Sequence, residues 1–105
     1  MMFPKNKRWK SKKYRDAAQG QDCKMRLPGC LNNTETVVLA HRNGAGVALK
    51  HSDHDAADMC AHCHDIYDGR KTAGAMTYSR EYLERKFDSA RIETIVNRIE
   101  RGIIK

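Results

Sequence analysis

In the last quarter of the chain, apolar side chains return with a helical rhythm. Ile92, Ile95, Val96 and Ile99 fall at i, i+3, i+4 and i+7, with Tyr82, Leu83 and Phe87 upstream, which predicts one long helix or two shorter ones over about 79–101. Gly102 stands where a C-terminal cap would end it. The stripe is assigned to core packing. Earlier, 34–41 (TETVVLAH) is rich in β-branched residues and reads as a strand, and 56–59 is short enough to be the returning strand of a hairpin. Between them lie a loop over 42–49 with two glycines and a polar turn, HSDHD, over 51–55. A helical turn is expected over 14–20, ended by Gly20, and Pro28-Gly29 marks a tight turn inside 23–30. No internal repeat is present.

Composition adds a constraint. The chain has 105 residues, 40% hydrophobic and 31% charged, which is one domain with a thin apolar core. Its basic residues outnumber its acidic ones 20 to 13, a formal net charge of +7 that favours a polyanionic partner, nucleic acid first. The excess has a place. Residues 1–15 carry seven Lys or Arg and no acid, with Trp9 and Tyr14 interleaved, so 1–15 is expected to be a flexible basic arm and 16–105 the folded domain. Lys7, Arg8, Lys10, Lys12 and Lys13 of the arm are candidate phosphate contacts, as are Arg42, Lys50 and Arg70 near the predicted site. A solubilising tail is the simpler alternative for the arm. The N-terminus lacks a signal peptide's apolar run and nothing approaches a membrane span, so a cytoplasmic protein without membrane contact is expected.

In a reducing compartment, four cysteines point to metal rather than disulfides. Cys23 and Cys30 form one pair, closed by the Pro28-Gly29 turn, and Cys60 and Cys63 form a Cys-x2-Cys pair about thirty residues on. Two such pairs complete a tetrahedron of thiolates around Zn2+. The alternatives are reduced buried pairs, or a redox pair that lacks the usual βαβ surroundings. A structural zinc is worth about 10 to 16 kcal/mol of apparent folding energy, enough to compensate for a thin core. The order of elements is knuckle, β-hairpin, then a helix starting at the second cysteine pair and ended by Gly69. It predicts a small α+β, zinc-stabilised treble-clef fold with one or two C-terminal helices.

A second cluster sits beside the cysteines. All five histidines lie between positions 41 and 64, and 51–69 holds five Asp with no Lys or Arg. A divalent cation would need such a set, although a solvated polar loop is the plainer reading. His64 and Asp68, four apart on the predicted helix, share a face and can reach one ion, while Cys63 turns to the zinc. Asp65 is placed as a carboxylate at the helix N-terminus. Ser52 and Thr77 lack the adjacent base that a nucleophile requires.

Several of these elements resemble a known family. Cys23-x6-Cys30, Leu39-Ala40-His41, a Gly-rich loop ending in Lys50-x2-Asp53, and Cys60-x2-Cys63-His64-Asp65-x2-Asp68 are similar, in that order, to the prophage-encoded HNH nucleases of the YbcO-like family. The likeness runs over about 16–105, including the ending Arg101-Gly102-Ile103-Ile104-Lys105. It implies a ββα-metal site cutting phosphodiesters in DNA, with a second divalent cation (Mg2+, Mn2+, Ni2+ or Zn2+) on His64 and Asp68. The same likeness makes His41 the general base and Asp53 an orienting group or a metal ligand. Where relatives carry Asp or His before the base, this chain has Ala40. His51, His54 and His62 match no site position and are expected at the surface or around the site. No small-molecule cofactor is expected. The rival reading is a non-catalytic zinc module that binds DNA or a protein in phage recombination or replication.

Overall fold

In the computed structural model, residues 10–42, 52–69 and 78–104 are described. Five elements organise them: α1 (Lys12–Asp16), β1 (Val38–His41), β2 (Ala56–Met59), α2 (Ala61–Tyr67) and α3 (Arg80–Glu100). A 3-10 turn, Thr34–Thr36, precedes β1, so the strand is shorter than the β-branched run that announced it.

β1 and β2 form an antiparallel two-stranded sheet in the register Val38↔Met59, Leu39↔Asp58, Ala40↔Ala57 and His41↔Ala56. A lone hairpin is marginal in water and needs a covering layer. α3 supplies it, burying Leu83, Phe87, Ala90, Thr94 and Arg98, while α2 contributes Cys63, Ile66 and Tyr67. Tyr67 and Phe87 stack at 4.9 Å between ring centroids, which ties α2 to α3. The segment before β1 is held by the backbone bond from Lys24 N to Asp58 O of β2 (2.9 Å) and by the burial of Met25 and Leu27.

The core differs from expectation on α3. The Ile92, Val96 and Ile99 side chains are exposed, at 57%, 44% and 51%, and Ile95 is half-buried. The buried face lies roughly opposite, because the mean directions of residues 90, 94 and 98 and of residues 92, 96 and 99 differ by about 170° around a helix of 100° per residue. What replaces the isoleucines inside is polar. The Arg98 guanidinium holds both oxygens of Asp58 (2.8 and 2.7 Å), and both side chains are fully buried. Arg98 also donates to Tyr14 O (3.1 Å) and lies over the Tyr14 ring at 5.0 Å, and Lys24 Nζ is 3.6 Å from Asp58. Thr94 Oγ1 accepts from the Asp58 amide and donates to Ala90 O.

The expected arm boundary at residue 15 also shifts. Ser11 caps α1 by accepting from the Tyr14 amide, and Tyr14 is wholly buried beside Arg98, so residues 11–15, expected in the arm, pack with the domain. Asp65 is not at the N-terminus of α2. The first turn of α2 has no acid; Cys60 is the N-cap residue, and the Ala61 amide bonds Thr36 Oγ1 of the preceding 3-10 turn instead. Gly69 ends α2 with φ +81°, and one unbroken α3 covers the predicted C-terminal helix.

Candidate metal centre and active site

Cys23 and Cys30 flank the turn at Gly29, Cys60 closes β2, and Cys63 is the third residue of α2. The four Sγ atoms all lie within 4.8 Å of one another, and Cys30 and Cys60 are 3.7 Å apart. A tetrahedron with Zn–S bonds of about 2.3 Å has edges of about 3.8 Å. All four are free thiols. Backbone amides serve the sulfurs: Leu27 N donates to Cys63 Sγ and Asn32 N to Cys30 Sγ, each at 3.3 Å. Such donors stabilise thiolate charge. The hydrogen bond with Cys63 pulls the Cys23 thiol down to about 4 against the cost of burial, while Cys63 is pushed up by that bond and by burial. Burial likewise raises Cys30. The cluster therefore accommodates one thiolate easily and resists several, and a divalent cation is what would let all four ionise. The donor set fits zinc.

Gly29 is at φ +85°, and a Cβ there would lie 2.9 Å from His62 Nε2. His62 uses that nitrogen on Pro28 O (2.8 Å), so it packs the turn against α2 as a structural group.

At the end of the hairpin where the chain connects the two strands, His41 is the last residue of β1 and Asp53 precedes β2. His41 Nε2 is 2.8 Å from Asp53 Oδ1. Asp53 is buried, at 4% exposure, and its other oxygen accepts from the Ser11 amide (2.6 Å) and from Arg15 Nη1 (2.7 Å). Burial pushes this carboxyl up, but Ser11, His41 and Arg15 together outweigh it and hold it below its ordinary value. An ionised carboxylate only accepts, so His41 carries its proton on Nε2 and leaves the Nδ1 lone pair unused by Asp53. That is the arrangement of a base held by a carboxylate. Ala40 is buried in the core and pairs with Ala57, since strand alternation sends it to the face opposite His41.

His64 and Asp68 are brought together on α2, Nε2 to Oδ2 at 3.1 Å, with both side chains partly exposed. Among the described residues, the four cysteines form the one group of three or more potential ligands, so this pair has no third protein ligand there. Arg42 is occupied differently from expectation. Its guanidinium bonds Asp55 (3.0 Å), Glu84 (2.7 Å) and Asp88, and lies 4.6 Å over the Phe87 ring, which makes it a cross-link between hairpin and α3. Lys10, Lys12 and Lys13 are exposed, and Lys12 pairs with Asp16. Lys7, Arg8, His51, Lys50 and Arg70 lie outside the described residues. His54 is exposed and its carbonyl accepts from Arg91 (3.1 Å).

Sequence reasoning missed Ser11 and Arg15, both inside a basic run where nothing distinguishes a buried-carboxylate partner from a phosphate contact. It also missed the Arg98–Asp58 pair, two charges forty residues apart.

These features define a class: a small α+β protein with a two-stranded hairpin, a four-cysteine cluster able to hold a metal ion, and a carboxylate-held histidine where the chain leaves the first strand. The profile of the family described as "Putative nuclease YbcO" matches residues 12–101, and the chain belongs to that family. It is 39% identical over 71 residues to "Putative nuclease YbcO" of Escherichia coli (strain K12), covering 64% of this chain and 74% of the relative. The same identity and coverage hold for "Putative nuclease ybcO" of Enterobacteria phage 82. A solved structure described as that of "a putative bacteriophage protein from Escherichia coli str. K-12 substr. MG1655" is similar with a TM-score of 0.69 and 32% identity, over 86% of this chain and all of the other. No helix among the described residues is long and apolar enough to cross a membrane.

Proposed function

We propose that the chain is a metal-dependent endonuclease of the HNH type that hydrolyses phosphodiester bonds in DNA within the bacterial host. The observation that carries this reading is His41, fixed through Nε2 by a buried, ionised Asp53, which leaves Nδ1 unused by that carboxylate. Membership of a family named for nuclease activity points the same way. Cys23, Cys30, Cys60 and Cys63 would hold a zinc ion that ties the turn at Gly29 to α2, in the manner of a treble clef.

His41 Nδ1 takes a proton from the attacking water, whose oxygen bonds to phosphorus as the bond from phosphorus to the 3′ oxygen breaks; the 3′ oxygen takes a proton from solvent water, leaving 5′-phosphate and 3′-hydroxyl ends. Asp53 orients the imidazole and stabilises its charge once protonated; with both oxygens engaged by protein donors, it serves as an orienting group. His64 and Asp68 would hold the second divalent cation (Mg2+, Mn2+, Ni2+ or Zn2+), which when bound supplies electrophilic stabilisation of phosphate and leaving-group charge. The exposed Lys10, Lys12 and Lys13, with Lys7, Arg8, Lys50 and Arg70, contact phosphates and give salt-sensitive affinity without reading sequence. Arg42, fully paired, is left out of that set. Residues 11–15 are counted with the domain and not with the arm.

The test is nicking of supercoiled plasmid by zinc-loaded protein across added Mg2+, Mn2+, Ni2+ and Zn2+. Cleavage with at least one ion, lost on replacing His64 and Asp68 with Ala, is expected. Absence of nicking with every ion, on supercoiled, branched and single-stranded DNA alike, would favour the non-catalytic module, a reading that the two-ligand His64–Asp68 pair also accommodates.

A further inference from the structure

We infer that helix α1 is a working part of the active site and that Arg15 is a positioning residue for His41, an inference that rests on the nuclease reading above. A carboxylate held through one oxygen can rotate about its terminal bond. Asp53 cannot: Oδ1 faces His41 Nε2 at 2.8 Å, while Oδ2 receives the Ser11 amide at 2.6 Å and Arg15 Nη1 at 2.7 Å. Both donors come from one turn of one helix, because Arg15 N bonds Ser11 O at 3.0 Å. The Ser11 N–H is free for this task since an N-cap residue's own amide has no partner inside the helix.

The helix that carries the clamp is itself anchored. Tyr14 is fully buried between Ser11 and Arg15 in sequence, and its carbonyl accepts from Arg98 Nε of α3 at 3.1 Å. A continuous set of contacts therefore runs from α3 through Tyr14 to α1, Asp53 and the ring of His41. Five residues of helix would be marginal alone. Here they fix the one carboxylate oxygen that the catalytic base leaves unused.

The competing role for Arg15 is that of its basic neighbours, a phosphate contact, and its side chain is 41% exposed. The two roles separate in kinetics. A general base contributes about 10² to 10⁴ in rate, so loosening its support in Arg15→Met should lower kcat by about tenfold or more while KM for DNA stays within about twofold. Arg15→Lys, which keeps a charged donor, should recover part of kcat. A phosphate contact would instead raise KM and leave kcat alone.

A readout independent of cleavage comes from ring 15N shifts of His41 in the zinc-loaded, DNA-free protein. Wild type should show one tautomer, protonated on Nε2, and Arg15→Met a mixture of both. Zinc content and a cooperative melt verify that each variant is folded, and Arg15→Lys carries the comparison if Arg15→Met does not fold. An unchanged tautomer with unchanged kcat, or a change in KM alone, overturns the inference. A wild type that never cleaves, together with a tautomer that responds to Arg15→Met, upholds the clamp and overturns the nuclease reading instead.

Discussion

The buried pair Arg98–Asp58 makes the sharpest stability prediction. Both side chains are at 0% exposure, and the guanidinium meets both carboxylate oxygens. Removing one partner of such a pair strands the other charge and costs about 3 to 5 kcal/mol, a large part of the roughly 5 to 15 kcal/mol that holds a domain together. The two single changes should differ. Arg98→Met leaves Asp58 with Lys24 at 3.6 Å and the Thr94 hydroxyl on its own amide, so it belongs at the low end. Asp58→Leu leaves Arg98, among the described residues, with the Tyr14 and Asn97 oxygens and no carboxylate against it, so it belongs at the high end. At about 4 °C or more per kcal/mol for a domain of this size, each melting temperature should fall by at least about 12 °C. The double variant strands neither charge and should recover at least about 2 kcal/mol relative to the sum of the singles. Urea unfolding followed by far-ultraviolet circular dichroism, at fixed free zinc, measures all four proteins. Singles costing under about 1 kcal/mol, or a double equal to the sum of the singles, would refute the reasoning.

Other outcomes follow from the same contacts. Gly20 and Gly29 share a left-handed backbone (φ +77° and +85°), but only at Gly29 would a Cβ meet His62; Gly20→Ala should cost about 1 kcal/mol and Gly29→Ala at least about 1 kcal/mol more, read by urea unfolding. On α3, Ile92→Lys and Val96→Lys should each change stability by less than about 0.5 kcal/mol, whereas Phe87→Ala should cost about 3 to 5 kcal/mol; an equal loss at Val96 would return the stripe to the core. Cys60→Ser should remove zinc, as counted by elemental analysis, and abolish the cooperative melt; one zinc per chain with an intact transition would sink the four-thiolate assignment.

How far the chain could be read in advance depended on which signals were local. The second strand, the helix opening at Cys60 and the limits of α3 were legible because a short returning segment after a polar turn, a Cys-x2-Cys step and a glycine cap act over a few residues. The inward face of α3 was not. Its buried positions include Thr94 and Arg98, polar residues whose burial depends on Asp58 in a strand far away in sequence, so the isoleucines on the other side carried the stronger periodic signal. Tyr14 was hidden in the same way. Flanked by Lys13 and Arg15, it read as part of a solvated arm, and only the ring of Arg98 contacts explains why the helix docks. At the site, family resemblance pointed to His41 and Asp53, and the geometry pairs them. The pairing of Arg42 with three carboxylates from two distant segments was not legible in the sequence.

The claim that His41 acts as the base is tested most directly by single-turnover plasmid nicking with zinc-loaded wild type and His41→Ala, under the best divalent ion, with DNA affinity measured in parallel. The account predicts a loss of at least about 10²-fold in rate with DNA affinity within about twofold. Equal rates in the two proteins would contradict it.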